Sequence, residues 1–188
     1  MRRVASLVVI LALVVALTGA PPAKAQDSWI DEGKLGLLAH DVPIGVHRIE
    51  HGVDFNGEIL FTSPDFLRSI LAPRPHLGVS LNSAGETDIA YFGLTWAADI
   101  WSNLLKPQDG VFATLGLGGA VHDGPNENAG SGRLGLGTRL LFHESVELGY
   151  RLSPPISVSL YLDHVSNADI GLHNPGLTNL GLRTGFKF

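Results

Sequence analysis

Near its end the chain reads Leu160-Tyr161-Leu162-Asp163-His164-Val165-Ser166-Asn167, an apolar–polar alternation that a histidine and a serine interrupt. In extended chain, residues i and i+2 project from one face. The His164 imidazole and the Ser166 hydroxyl therefore stand side by side, in line with Leu160 and Leu162. Such a pair suits nucleophilic chemistry: the imidazole takes the hydroxyl proton as the oxygen attacks an electrophilic carbon. It also suits a plainer role, as polar residues where a strand runs out into water. A lone His-x-Ser is too short a pattern to choose between them. If the face is apolar, a reason is required, since burying an unpaired polar group costs roughly 2–7 kcal/mol. The elements that carry the pair decide which face it is.

Met1-Arg2-Arg3, the apolar run Val4–Leu17 and the small-x-small triplet Ala23-Lys24-Ala25 predict a secretory signal peptide over residues 1–25. The run is short of the roughly 20 apolar residues that a spanning helix needs. One domain is expected over 26–188. Removal of Arg2, Arg3 and Lys24 takes the formal charge from −5 to −8. A net acidic chain argues against a nucleic-acid partner, whose phosphates require a basic surface. The absence of Cys is compatible with export without a disulfide framework.

From about residue 33 the chain reads as all-β. Strands are predicted at 34–42, 52–62, 75–83, 87–100, 111–122, 139–152, 156–167 and 178–188, separated by turn clusters such as "HDGPNENAGSG" and "RLSPPIS". A short helix is expected in "SPDFLRSIL" (63–71), with Ser63 as its cap and Pro64 at its first position. In the last three strands the even positions are mostly oily: Leu140, Phe142, Val146, Leu148, Tyr150, Leu152, Ile156, Val158, Leu160, Leu162, Leu180, Leu182, Phe186 and Phe188, interrupted by Glu144, Thr184 and the His164–Ser166 pair. The odd positions carry Arg139, His143, Glu147, Arg151, Asp163, Arg183 and Lys187.

Alternation alone fits a soluble sandwich as well as a barrel. Strands near the ~9–11 residues of a tilted membrane strand, in an even number, favour an eight-stranded antiparallel transmembrane β-barrel. The terminal Phe188, in an alternating aromatic strand, looks like the C-terminal signature of outer-membrane barrels. Eight strands enclose a space that side chains fill. Arg139, Arg151, Arg183, Lys187, Glu147 and Asp163 are expected to meet there. With both termini on the periplasmic side, His164 and Ser166 fall at the outer end of strand seven, facing outward near outer-leaflet lipid.

The segment "DHVSNADIGLHNPGLTNLGLRTGFKF" resembles the C-terminal part of the lipid A 3-O-deacylases (PagL family), outer-membrane acyl-ester hydrolases. The resemblance lies in His-x-Ser-Asn at the end of the penultimate strand, an Asn in the following loop and a terminal Phe. It is dense over about thirty residues, and upstream only the leader and the barrel pattern support it. It implies Ser166 as nucleophile, His164 as base, and Asn167 (backbone N–H) and Asn174 (side chain) as oxyanion donors. It implies lipid A of the outer leaflet as substrate and no cofactor. The family's triad acid, a Glu twelve residues after the serine, is Thr178 here. A threonine hydroxyl orients an imidazole without charging it, and Asp169 is an alternative source of charge. Asp163 points the wrong way.

The remaining histidines (His40, His47, His51, His76, His122, His143, His173) lack ligand spacing, so no metal site is expected. Glycines in "LGLGG" (115–119) are expected to relieve crowding inside a narrow barrel. Tyr91, Trp96, Trp101 and Tyr150 are candidates for interfacial girdles. Two rivals stay open: a catalytically weak or silent structural barrel, which Thr178 favours, and a soluble periplasmic β-sandwich. Whether barrels pair as a homodimer is also open from sequence.

Overall fold

The computed structural model describes residues 28–43, 49–127, 132–171 and 173–188; the expected signal peptide lies outside them. Eight strands follow one another: β1 (Ile30–Ala39), β2 (Val53–Phe61), β3 (Arg74–Asn82), β4 (Ile89–Ser102), β5 (Gly110–His122), β6 (Leu140–Ser153), β7 (Ile156–Ser166) and β8 (Leu177–Lys187). Each pairs antiparallel with its sequence neighbours, and β1 closes on β8 from Glu32↔Lys187 to Ala39↔Leu180. Closure leaves no sheet edge unpaired, which is what a strand protein in lipid must achieve.

The alternation sets which way each side chain points. In β7 exposed and buried residues alternate along the strand, and the oily ones are outside: Leu160 is 51% exposed, as are Leu148 and Leu182 at 55% and 69%. A protein dissolved in water does not turn this band outward, so the barrel reading replaces the sandwich. The inside is polar and filled. Arg183 pairs with Glu58 at 2.7 Å and lies 4.0 Å from the Tyr161 ring centre, and Lys34 pairs with Glu147. Asn56 donates to the Tyr91 hydroxyl at 2.9 Å. The glycine expectation holds: a Cβ on Gly116 would overlap Ser145, and one on Gly118 would overlap the Phe92 carbonyl of the facing strand.

Several expectations need correction. Of the six charged residues expected inside, only Arg183, Glu147 and Asp163 are there. Lys187 is exposed beside Asp31 (3.5 Å), and Arg151 pairs with Asp99 (2.6 Å) at the rim, because both sit in the last paired rungs of their strands, where the wall meets solvent. Arg139 precedes β6 and donates to the carbonyls of His122 and Gly124. Tyr91 is no girdle residue: inward in β4, it is 1% exposed and stacks on His143 with ring centres 4.3 Å apart. The short helix forms as a 3-10 turn, Asp65–Ile70, with Pro64 at the cap position and no side-chain cap, so Ser63 does not cap it.

The two ends of the barrel differ. The start of β1, the end of β8 and the two-residue Pro154-Pro155 turn occupy one end, here the terminal end. The opposite, loop end carries the β1–β2, β3–β4, β5–β6 and β7–β8 connections. Leu134 and Leu136 of the β5–β6 connection fold back to join a buried cluster with Ile89, Tyr91, Ala120, Leu141, Val165 and Leu177. This apolar plug seals the loop end and backs the wall where His164 and Ser166 stand.

Candidate active site

The pair sits on the outer face at the loop end of β7. His164 lies opposite Thr178 of β8, and its Nδ1 is 2.8 Å from Thr178 Oγ1. Ser166, the last residue of β7, lies opposite Phe142 of β6. Imidazole, serine and threonine are each half-buried. Among the described residues no hydrogen bond joins Ser166 to His164. With Thr178 accepting from Nδ1–H, the imidazole lone pair falls on Nε2.

The strand backbone fixes this side of the site, and the residues directly beneath it are apolar. Val165 and Leu177, neighbours of His164 and Thr178, are each 1% exposed in the plug and face one another across the β7–β8 pair. Outer residues on the same strands thus gain their rigidity from inner ones. The β1–β2 connection adds a clamp, since Val42 N–H donates to the Thr178 carbonyl at 2.7 Å.

Asn167 begins the β7–β8 connection, and its side chain is a loop fastener. Its Nδ2 donates to the carbonyls of Leu136 and His173, and its Oδ1 accepts from Gly171 N–H at 3.4 Å. The backbone N–H of Asn167 donates to Asn174 Oδ1 at 2.9 Å, which brings together the two residues expected to serve an oxyanion. Ala168 and Asp169 take left-handed conformations (φ 51° and 60°) to turn the chain, and Asp169 is exposed.

Three features of the site escaped sequence reasoning. Gly176 has φ +67°, and a Cβ there would lie 2.6 Å from His164 Cε1, so only glycine lets the loop cover the ring. Gly137, at φ +79°, lets the β5–β6 connection press against the His173 carbonyl and the Asn167 amide. Gly176 follows Pro175, a signal for special backbone but not for which side chain it accommodates. The third is the register of Glu144, opposite His164 on the side away from Thr178.

Beyond the site, the loop end holds a second polar cluster. His40 lies between two carboxylates, Nδ1 2.9 Å from Asp54 Oδ2 and Nε2 3.0 Å from Glu50 Oε2. Carboxylates only accept, so both ring nitrogens carry protons and His40 is a cation. Burial alone would lower its pKa, but the bonds to Asp54 and Glu50 and their charges raise it to about 9. Burial would raise the Glu50 pKa, but bonds from His40, Leu134 N–H, Thr87 and Arg133 bring it down to about 2. Through these bonds Glu50 ties the β1–β2, β3–β4 and β5–β6 connections together.

A closed, even-stranded barrel with an oily outside and a charged, filled inside defines an integral membrane β-barrel of the bacterial outer-membrane type. The chain belongs to the lipid A 3-O-deacylase (PagL) family, whose model matches residues 77–187. The fold agrees with solved barrels. The crystal structure of the outer membrane enzyme PagL aligns with a TM-score of 0.63 at 16% identity, covering 84% of this chain and 99% of that one. A de novo designed transmembrane β-barrel aligns at 0.52 with 9% identity, over 88% and 100% of the two chains. The N-terminal barrel of Pseudomonas aeruginosa OprF aligns at 0.50 with 13% identity, over 84% and 98%. No curated protein sequence matches.

Proposed function

We propose that this barrel removes the 3-O-linked acyl chain of lipid A by serine ester hydrolysis, working from the outer leaflet of the outer membrane. The observation that carries the reading is the oriented imidazole: His164, bonded to Thr178 through Nδ1, stands on the strand face that Ser166 shares two residues on. Ser166 Oγ attacks the ester carbonyl carbon as its proton passes to His164 Nε2. The oxyanion is taken by the Asn167 N–H, replacing Asn174 Oδ1 as its acceptor, while Asn174 turns its amide to offer Nδ2. Donors aimed at a developing oxyanion are typically worth ~10²–10³ in turnover each. Collapse of the adduct expels the sugar hydroxyl, which receives the proton from His164, and water then hydrolyses the acyl-serine by the same route. No cofactor enters these steps.

A catalytic pair on the outside of a filled barrel suits a substrate that arrives sideways through the membrane. Residues 1–25 act as the export leader in this reading. Thr178 supports a second reading, a barrel with the site's geometry and little turnover, because a neutral partner stabilises the imidazolium less than a carboxylate. Mass spectrometry of lipid A separates the two. Cells making the protein should lose one hydroxyacyl mass from lipid A, and cells making Ser166→Ala should not. Unchanged lipid A with correctly inserted protein would favour the silent barrel.

A further inference from the structure

Thr178 leaves the imidazolium without a charged partner on the β8 side, and the β6 side offers one. Glu144 is the register partner of His164 on β6, as Thr178 is on β8, so the imidazole stands between a hydroxyl and a carboxylate on neighbouring strands. Glu144 is exposed on the same outer face, flanked along β6 by Phe142 and Val146, 48% and 49% exposed. Directly opposed residues have Cβ atoms about 4.5–5.5 Å apart, and a glutamate stem spans that gap. A carboxylate in a lipid-side row is costly, the more so towards the bilayer centre. Its position beside the one imidazole of that row gives the cost a purpose.

Other charged groups around His164 are placed differently. Asp163, 2% exposed, and His143 point into the barrel, 3.6 Å from one another. Asp169 and His173 are exposed on the β7–β8 connection. From β8, Thr178 is neutral, and Asn179 faces inward.

We propose that Glu144 is the anionic positioning residue of His164, a carboxylate supplied across the β6–β7 pair in place of a charged partner on β8. It rests on the Ser166–His164 reading above. As Ser166 gives its proton to Nε2, the ring becomes a cation held by Thr178 at Nδ1. The Glu144 carboxylate stabilises that charge through space and takes no proton.

The test uses the full-length protein folded in detergent micelles. The His164 ring is titrated by NMR with carbon-13 at histidine Cε1, assigned by His164→Gln, and lipid A deacylation is followed against pH. Glu144→Gln should lower the His164 titration midpoint, the direction an imidazolium takes on losing a nearby carboxylate. The acid limb of the rate profile should move down equally, with kcat reduced about tenfold and KM little changed. Glu144→Asp should recover part of both, and Glu144→Ser should repeat the Gln result if the Gln protein inserts poorly. An unchanged midpoint in folded Glu144→Gln and Glu144→Ser proteins overturns the proposal. Loss of the function reading shows differently: Ser166→Ala would deacylate like wild type, while the NMR midpoint would still report the Glu144–His164 coupling.

Discussion

Two histidines at the loop end teach opposite lessons. His40 has both ring nitrogens bonded to carboxylates and is fully buried, so its proton is locked in place and its function is to bind loops. His164 has one nitrogen on a neutral hydroxyl, and its half-buried ring stands beside a serine on the outer face. Saturation makes a histidine structural; one unused nitrogen on an oriented ring makes it able to exchange a proton. The two regions are mechanically joined, because Glu50, the partner of His40, also accepts from Leu134 N–H at 2.9 Å. Leu134 belongs to the plug behind Val165 and Leu177.

The sharpest way to break the comparison is to remove each ring. Ser166→Ala and His164→Ala should each reduce lipid A deacylation by about 10³-fold or more, with the double variant little worse, as residues acting as a unit behave. Barrel stability should be unaffected. His40→Ala should do the reverse, removing the cation buried between Glu50 and Asp54 at a cost of about 3–5 kcal/mol. The folding midpoint in urea, read from the heat-modifiable gel shift, checks the second half, and turnover per folded barrel checks the first. A stable His40→Ala protein would refute the structural assignment.

Smaller effects follow at the neighbours. Thr178→Glu should raise the rate, up to a limit near the ~10⁴ that a full triad acid is worth, and misplacement of the longer side chain would shrink the gain. Thr178→Val should lower the rate about tenfold, a loss in the range of a removed neutral hydrogen bond. Gly176→Ala should cost activity and also lower the folding midpoint, since its Cβ meets the His164 ring at a φ of +67° that strains an alanine. Initial rates on purified lipid A measure all three.

The smallest expected effect is the response of the loops to pH. The raised pKa of His40, about 9, means its stabilisation is complete below 6.5 and is lost as pH rises through 9. The lowered pKa of Glu50, about 2, means its stabilisation is complete above 4.5 and is lost as pH falls through 2. The cluster is therefore strongest between pH 4.5 and 6.5. Limited proteolysis of the connections should be slowest in that window and accelerate towards pH 10; a flat profile would show that other contacts hold the loops.

The strands were legible because side-chain direction repeats every two residues, a purely local rule. Predicted 156–167 and 178–188 became Ile156–Ser166 and Leu177–Lys187, with the even residues of β6, β7 and β8 outward as expected. The same rule placed His164 and Thr178 on one face, and the structure shows them bonded. Local rules failed wherever the outcome depended on height along the barrel. Arg151 and Lys187 have inward parity yet lie at the rim.

What the sequence by itself determined is the set of faces: which side of each strand meets lipid, and that an imidazole and a hydroxyl share one of them. Tertiary structure alone decided the neighbours. Strand register set Glu144 and Thr178 on either side of His164, and the fold-back of Leu134 and Leu136 built the plug behind it. Only closure brought Val42 N–H onto the Thr178 carbonyl, 136 positions on in the chain. Alternation is written into every pair of residues, whereas register and loop docking come from the summed energy of distant contacts.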